Sequence, residues 1–203
     1  MLEIYIQSFV LYFVVIDPIG NTPIFMSITQ NQNQNEKYQT AFEGILYATL
    51  ILFFFSIVGK FILSYLNISL ESFKIAGGVI LLLISIEMLF NKRQERKEKI
   101  IKNTGNKVSV FPLATPILAG PASITSVIVI ANEYQDRFSL QIISILSLLS
   151  VMLISLLCFL MLAKSDKFIN KNISNIVSRV IAIILASLSI QYIIDGLLIS
   201  FKI

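Results

Sequence analysis

Two short segments rich in proline and glycine interrupt long apolar stretches of the chain, and they constrain the fold more than any other feature. The first covers residues 17–23 with the sequence DPIGNTP, and the second covers residues 115–121 with the sequence TPILAGP. Each segment holds two prolines, and the corresponding prolines lie 98 positions apart. Because proline lacks an amide donor and clashes with the preceding helical turn, both segments are predicted to break a helix.

The composition places these breaks in a membrane. Hydrophobic residues make up 56% of the chain and charged residues only 14%, whereas soluble domains average about 25% charged residues. Unsatisfied backbone groups are costly in hydrocarbon, so a broken span survives only where protein encloses it or a cavity adjoins it. A pair of interrupted spans in matching halves indicates the binding site of a transporter.

Six apolar stretches are long enough to cross a bilayer, which requires about 20 residues. They cover, as spans one to six, residues 4–29, 40–63, 70–91, 108–131, 140–163 and 176–199. The predicted fold class is therefore all-α, a polytopic membrane protein with six transmembrane helices, of which helices one and four are broken.

The two halves of the chain are predicted to be inverted repeats. Residues 1–91 and 108–203 hold three spans each, so they cross the membrane in opposite directions. The aligned prolines support a common origin, as does the likeness of ISIE at 84–87 to LSIQ at 188–191. Coincidence between helices rich in isoleucine and leucine is the alternative. The strongest basic run, residues 92–107, is predicted to be a cytoplasmic linker between the repeats.

Lysine and arginine predict the orientation, because cytoplasmic loops carry an excess of both. Twelve of the sixteen lie on one side of the predicted spans, namely Lys37, Lys92, Arg93, Arg96, Lys97, Lys99, Lys102, Lys107, Lys164, Lys167, Lys171 and Arg179. The other four are Lys60, Lys74, Arg137 and Lys202. Both termini are therefore expected outside the cytoplasm. The net charge of +4 is a property of loops and does not indicate nucleic-acid binding.

The polar residues at the breaks are the candidate substrate-binding residues. Asp17 lies near the middle of span one, where a carboxylate costs about 2.5–3.5 kcal/mol and normally faces a cavity or a partner. It is interpreted as binding a cation, a proton or a substrate ammonium, or as capping a half-helix that begins near Pro18. The other candidates are Gly20, Asn21, Thr22, Thr115, Gly120 and Ser123, and the helix-breaking prolines are Pro18, Pro23, Pro116 and Pro121.

The ends of the half-helices favour a particular substrate chemistry. Helix N-termini attract carboxylates, and helix C-termini offer carbonyl oxygens to cations. Both kinds of end at one site would suit a zwitterion such as an amino acid. Because no arginine or lysine neighbours either break in the sequence, a strongly anionic substrate is not expected. Lys74 and Asp195 are expected at the membrane interfaces. Glu43 and Glu87 are expected there too, and lining a transport pathway is the alternative for both.

The residue types exclude several enzyme classes. The chain has no histidine, and its single cysteine is Cys158. Imidazole catalysis, an intramolecular disulfide and a thiolate metal cluster are therefore excluded. No P-loop, zinc motif or nucleophile elbow is present. We therefore expect neither enzymatic activity nor a bound cofactor or metal.

Both breaks resemble motifs of a known family. The sequence DPIGNTPIF at 17–25, together with PILAGPASI at 116–124, is similar to the MarC family of bacterial and archaeal inner-membrane proteins. Span three, with IAGG at 75–78 and ISIEM at 84–88, is similar too. The resemblance covers the whole chain and implies a multi-pass protein of the bacterial plasma membrane. It also implies membership of the LysE-like exporter group, in which some relatives transport small neutral amino acids such as glycine and alanine.

The leading hypothesis is a secondary transporter of small neutral solutes such as amino acids, working by alternating access around a site between the breaks. Asp17 is the candidate for coupling to protons or sodium ions. The expected partners are the lipid bilayer and a small solute, and a homo-oligomer is a further expectation. The alternatives are a non-transporting membrane scaffold or assembly factor and, less favoured by the residue types, an intramembrane hydrolase.

Overall fold

The computed structural model describes residues 1–90, 92, 93, 96, 113–134, 137–164 and 171–201, with backbone alone for 171–175. Over these residues it is all-helical. The helices are α1 (Leu2–Ile16), α2 (Thr22–Thr29), α3 (Gln34–Tyr65), α4 (Leu70–Leu89), α5 (Pro121–Glu133), α6 (Phe138–Lys164) and α7 (Lys171–Phe201), with a π-helical turn over Leu113–Leu118 before α5. Most of the predicted linker 92–107 and the first residues of span four lie outside the described residues.

Four continuous helices are long and apolar enough to cross a membrane. They are Gln34–Tyr65, Leu70–Leu89, Phe138–Lys164 and Ile176–Phe201, and they match predicted spans two, three, five and six. The long α3 begins at a capping box, in which Asn33 and Glu36 each accept the backbone N–H of the other. The hydroxyl of Ser69 accepts the N–H of Ser72 at the start of α4.

The two proline segments interrupt the remaining apolar stretches. The apolar helix α1 ends at Ile16, and α2 begins only at Thr22, with Pro23 in its first turn. In the second half, the backbone leaves helical geometry at Thr115 (φ −134°, ψ 127°), and α5 begins at Pro121. Pro23 and Pro121 thus take equivalent places in the first turn of a half-helix, where the missing N–H of proline has no helical partner to lose.

The packing surrounds the broken segments with the long helices. The most extensive contact between two helices joins α4 to α7, while α1 lies along α6 and α3 lies along both α5 and α6. The helix α5 also contacts α1 and α4. Close approach of α4 and α7 depends on glycine, because a Cβ at Gly78 would lie 2.7 Å from the carbonyl oxygen of Ser189.

Apolar side chains around both breaks are buried in the core. Ile16, Ile24 and Phe25 flank the first break, Leu118 belongs to the second, and all four are almost fully enclosed. The ring of Phe25 stacks on that of Phe159 in α6, with centroids 4.7 Å apart. The irregular backbone is therefore shielded by protein, as an apolar solvent requires.

Candidate functional site at the helix breaks

Asp17 ends α1 by turning the chain into the left-handed region. Its backbone has φ 56° and ψ 65°, and its N–H donates to the carbonyl of Phe13 at 2.9 Å. Aspartate is one of the few residues that tolerate this conformation. The carboxylate then folds back, and Oδ1 accepts the N–H of Gly20 at 2.9 Å. A Cβ at Gly20 would collide with that carboxylate, so glycine is needed for its position.

Two side chains satisfy carbonyl groups at the end of α1, which have no partner within the helix. The amide Nδ2 of Asn21 donates to the carbonyl of Ile16 at 2.6 Å. The guanidinium Nη2 of Arg93 donates to the carbonyl of Val15 at 3.0 Å. The backbone at the first break is therefore stabilised partly by Arg93, a residue from beyond the end of α4.

Arg93 also forms an ion pair with Asp17. Its Nη1 lies 3.8 Å from Oδ2 of Asp17 and 2.9 Å from the sulfur of Met88. Arg93 is 8% exposed and Asp17 is 4% exposed. The expectation that no cationic side chain neighbours a break is therefore wrong, because the fold brings in Arg93 from a distant part of the sequence. Arg93 is also not the solvated linker residue that the sequence predicted.

The capping interpretation of Asp17 is also wrong. The second half-helix begins at Thr22 rather than near Pro18, and its N-cap residue is Asn21. The side chain of Asn21 bonds to Ile16 instead of capping α2, and the Thr22 hydroxyl donates to the carbonyl of Ile19 at 2.6 Å. The residues between the helices thus form a turn, in which Asp17 organises the end of α1 rather than the start of α2.

The second break is held by backbone groups and a hydroxyl. The N–H of Ala119 donates to the carbonyl of Ala114 at 2.8 Å, and the hydroxyl of Ser123 donates to the carbonyl of Leu118 at 2.8 Å. Gly120 is the N-cap residue of α5. Both bonds are short and local, so this break is stabilised by its own segment.

Thr115 and Gly120 show how tight the second break is. A Cβ at Gly120 would lie 2.6 Å from the carbonyl oxygen of Pro116, which is too close for any other residue. Among the described residues, the buried hydroxyl of Thr115 has no hydrogen-bond partner. A buried polar group without a partner costs about 1–3 kcal/mol, so none of the described residues stabilises this hydroxyl where it lies.

The structure divides the seven predicted substrate-binding residues between two turns on neighbouring elements. Asp17, Gly20, Asn21 and Thr22 share the first turn, and Thr115, Gly120 and Ser123 share the second. The helices α1 and α5, which carry these turns, are in contact. Arg93 is the residue that sequence reasoning missed. Its available signal was its place just after span three, since a long basic side chain near a span end can reach along an apolar surface.

Other charged side chains form ion pairs of their own. Lys74, expected at an interface, is buried, and its Nζ lies 3.3 Å from a carboxylate oxygen of Glu133. Glu87 accepts a hydrogen bond from Arg96 at 2.9 Å. Among the described residues, no group of three or more acidic or cysteine side chains is arranged to hold a metal ion.

Two open clefts lie beside Lys60 in α3. The first, of about 240 Å³, is lined by residues of α3, α5 and α6 that include Ser56 and Ser144. The second, of about 260 Å³, includes Asn132 in its lining. Neither cleft is lined by a residue of the breaks.

The chain is similar to known membrane proteins over its whole length. A family model described as MarC family integral membrane protein matches residues 2–201. A UPF0056 membrane protein of Methanocaldococcus jannaschii is 34% identical over 202 residues, which is 97% of each chain. One of Archaeoglobus fulgidus is 31% identical, covering 97% of this chain and 93% of its own. One of Buchnera aphidicola is 32% identical, covering 96% of this chain and 93% of its own. No solved structure matches the chain.

Proposed function

The chain belongs to the MarC family of integral membrane proteins, and from this premise we propose that it is a secondary transporter of small neutral solutes such as amino acids, rather than an enzyme. One observation carries the proposal. A buried carboxylate, that of Asp17, lies at the C-terminal end of an interrupted apolar helix. Such a group in a membrane protein marks an ion or substrate pathway far more often than a structural contact.

The helix contacts support two inverted repeats, residues 1–91 and 108–203. Exchanging each span of the first half with its counterpart in the second maps one set of contacts onto the other. The contacts of α5 with α3 and α4 correspond to those of α2 with α6 and α7, and the contact of the π-helical turn with α3 corresponds to that of α1 with α6. The contacts of α4 with α7 and of α3 with α6 map onto themselves.

The two breaks supply complementary chemistry for a zwitterion. The end of α1 offers the Asp17 carboxylate and helix carbonyls to an ammonium group. The start of α5, with Gly120, and the hydroxyl of Thr115, which has no partner among the described residues, offer donors to a carboxylate. The substrate in this proposal bridges the two turns, which excludes both a plain cation and a polyanion as the preferred solute.

The proposed mechanism is alternating access, in which one repeat rocks against the other around this site. The orientation follows the basic residues, with both termini outside the cytoplasm and residues 92–107 inside. Asp17 couples the movement to protons or sodium ions. The partners are the lipid bilayer and the solute, and pairing into a homo-oligomer stays a prediction.

Counterflow of labelled glycine and alanine into proteoliposomes tests the proposal. We expect exchange that requires the protein. We expect Asp17→Asn to lower the exchange rate about 10- to 100-fold, because the variant loses a charge-assisted contact with the substrate. The matched control is Glu43→Gln, because Glu43 is a partly exposed carboxylate of α3 whose hydrogen bond among the described contacts is accepted from Gln39, one turn earlier. This control should retain full exchange.

Either of two results would contradict the proposal. Unchanged exchange in Asp17→Asn would exclude Asp17 from the site and from coupling. A folded protein that exchanges neither amino acid would refute the amino-acid assignment and favour the alternative of a membrane scaffold. In that case, substitutions at the breaks should lower the abundance of a partner protein without altering the flux of any solute.

A further inference from the structure

Arg93 occupies the place that a cationic ligand of Asp17 would take. We infer that Arg93 is a tethered cation that fills the cation site at the end of α1 while no ligand is bound there. A ligand cation, either the ammonium group of a substrate or a coupling sodium ion, reaches Asp17 only when Arg93 withdraws. The inference rests on the proposed transport function for its purpose, but its tests do not measure transport.

The contacts of Arg93 define a cation site. The guanidinium donates to the carbonyl of Val15 and lies 3.8 Å from the carboxylate of Asp17. The C-terminal end of a helix carries partial negative charge, which the carboxylate reinforces. A helix C-terminus, a carbonyl oxygen and a carboxylate together are the groups that bind an ammonium or an alkali cation, and here a guanidinium fills the position.

Charge balance explains why such a site needs a resident cation. Asp17 is buried, and an uncompensated carboxylate in a low-dielectric interior is expensive. A site that releases its cation during every cycle would leave Asp17 unpaired each time. Arg93 removes that cost, because its return neutralises the carboxylate whenever the ligand leaves.

The geometry favours exchange over a permanent lock. A bidentate pair of arginine and carboxylate has N–O distances of about 2.7–2.9 Å, whereas Nη1 of Arg93 stands 3.8 Å from Asp17. The third contact of the guanidinium is the sulfur of Met88, and a thioether is a weak acceptor. Arg93 also follows the end of α4 at Leu89, so its withdrawal does not require that helix to unwind.

A purely structural role makes a different prediction. If Arg93 only caps α1, replacing it weakens the fold and no small cation restores the loss selectively. If it fills a cation site, the vacated position should bind a cation of similar size. Arg96 is the matched control, because it is an arginine three residues away whose side chain is 54% exposed where it pairs with Glu87.

Chemical rescue of the purified full-length protein is the first test. Thermal unfolding of Arg93→Ala is measured with methylguanidinium, methylammonium, sodium or choline chloride at equal ionic strength. We expect methylguanidinium to raise the melting temperature by about 4 °C, as for a ligand at about ten times its Kd. Wild type, Arg96→Ala and Asp17→Asn/Arg93→Ala should not respond. Equal responses of Arg93→Ala and Arg96→Ala would overturn the inference.

The same experiment distinguishes the two sources of the ligand cation. A greater rise with methylammonium than with sodium indicates a site for the substrate's ammonium group. A greater rise with sodium indicates a site for a coupling ion. Both results support a cation site, while equal effects of all four salts, choline included, would refute it.

Thiol labelling is the second test and keeps the inference testable if Arg93→Ala fails to fold. The reporter is Ser85→Cys in a Cys158→Ser background, because Ser85 is fully buried and lies one turn before Met88. Labelling uses an impermeant maleimide from the proposed cytoplasmic side. We expect Arg93→Gln to accelerate labelling about tenfold, Arg93→Lys to accelerate it less, and Arg96→Gln to leave it unchanged.

The outcomes separate this inference from the proposed function. Rescue of Arg93→Ala and faster labelling of Arg93→Gln, in a protein that transports no amino acid, would support the cation site and contradict the proposed substrate. The opposite result is transport that depends on Asp17, with no rescue of Arg93→Ala and with equal labelling rates in Arg93→Gln and Arg96→Gln. It would support the proposed function and contradict the tethered cation.

Discussion

The two breaks share their prolines but stabilise their backbones by different means. At the first break, side chains stabilise the backbone. Asn21 and Arg93 donate hydrogen bonds to carbonyls of α1, and the carboxylate of Asp17 accepts the N–H of Gly20 in the turn. At the second, a backbone bond from Ala119 to Ala114 and the hydroxyl of Ser123 suffice. The same pattern of prolines can therefore frame a charged site in one half of a protein and a neutral one in the other.

The difference is concentrated at one pair of equivalent positions. When the prolines are aligned at their offset of 98, Asp17 corresponds to Thr115. The carboxylate is paired with Arg93, while the hydroxyl has no partner among the described residues. The first break therefore requires a compensating charge from elsewhere in the fold, and the second leaves a donor available. This asymmetry is what a site for a zwitterion needs.

Removing Arg93 should produce the largest effect. Breaking a buried ion pair by deleting one partner costs about 3–5 kcal/mol, because the other charge stays buried. In a chain of this size that corresponds to a fall in melting temperature of about 10 °C for Arg93→Ala. The double variant Asp17→Asn/Arg93→Gln should regain much of the loss, since it removes both charges. Thermal unfolding in detergent measures all three proteins.

The matched control for that prediction is Arg96→Ala. The Arg96 side chain is 54% exposed in its ion pair with Glu87, and pairs at the solvent surface contribute about 0–1 kcal/mol. A similar fall in melting temperature for both alanine variants would show that the pair of Arg93 and Asp17 is not buried as described. A double variant no more stable than Arg93→Ala would show that the charges are not coupled.

Substitution of the two break glycines should separate the breaks further. In Gly120→Ala the new methyl group meets the backbone oxygen of Pro116, which cannot move aside, so we expect a loss of about 1–3 kcal/mol. In Gly20→Ala it meets the side chain of Asp17, which can rotate away. We therefore expect a smaller loss of stability and a greater loss of cation rescue in the Arg93→Ala background.

The melting temperatures of the two glycine variants, and their rescue by methylguanidinium in the Arg93→Ala background, test this difference between the breaks. Full rescue in Gly20→Ala would show that the carboxylate need not fold back on the turn to hold a cation. Abolished rescue in Gly120→Ala would show that the cation site extends to the second break.

The interruptions were predictable because they arise from local chemistry. Proline removes its own donor wherever it lies, so the pattern at Pro18, Pro23, Pro116 and Pro121 was sufficient to locate both breaks. The long apolar stretches likewise predicted α3, α4, α6 and α7. The predicted start of the second half-helix, near Pro18, was wrong. Asp-Pro is also compatible with a turn, and the left-handed backbone of Asp17 favours the turn.

The partner of Asp17 was not predictable from local signals. Arg93 meets Val15 across 78 positions of sequence, and only the packing of α1 near the end of α4 brings them together. A basic run after an apolar span normally indicates a solvated loop. The rule that a buried charge needs a partner was sufficient to predict that one exists, but not which residue it is.

The smallest expected effect comes from the hydroxyl of Thr115. Thr115→Val removes a buried hydroxyl that has no partner in the part of the chain that the structure describes, so the stability should be unchanged or rise by up to about 1 kcal/mol. Ser123→Ala removes a hydroxyl that bonds to Leu118 and should lose about 1 kcal/mol. If Thr115 binds the substrate, Thr115→Val should exchange glycine several-fold more slowly, because the contact between the hydroxyl and the substrate is lost. A gain in stability together with a loss of activity is typical of a residue that serves function at the expense of stability. A Thr115→Val protein that is both less stable and fully active would reverse this assignment and make the hydroxyl a structural group of the second break.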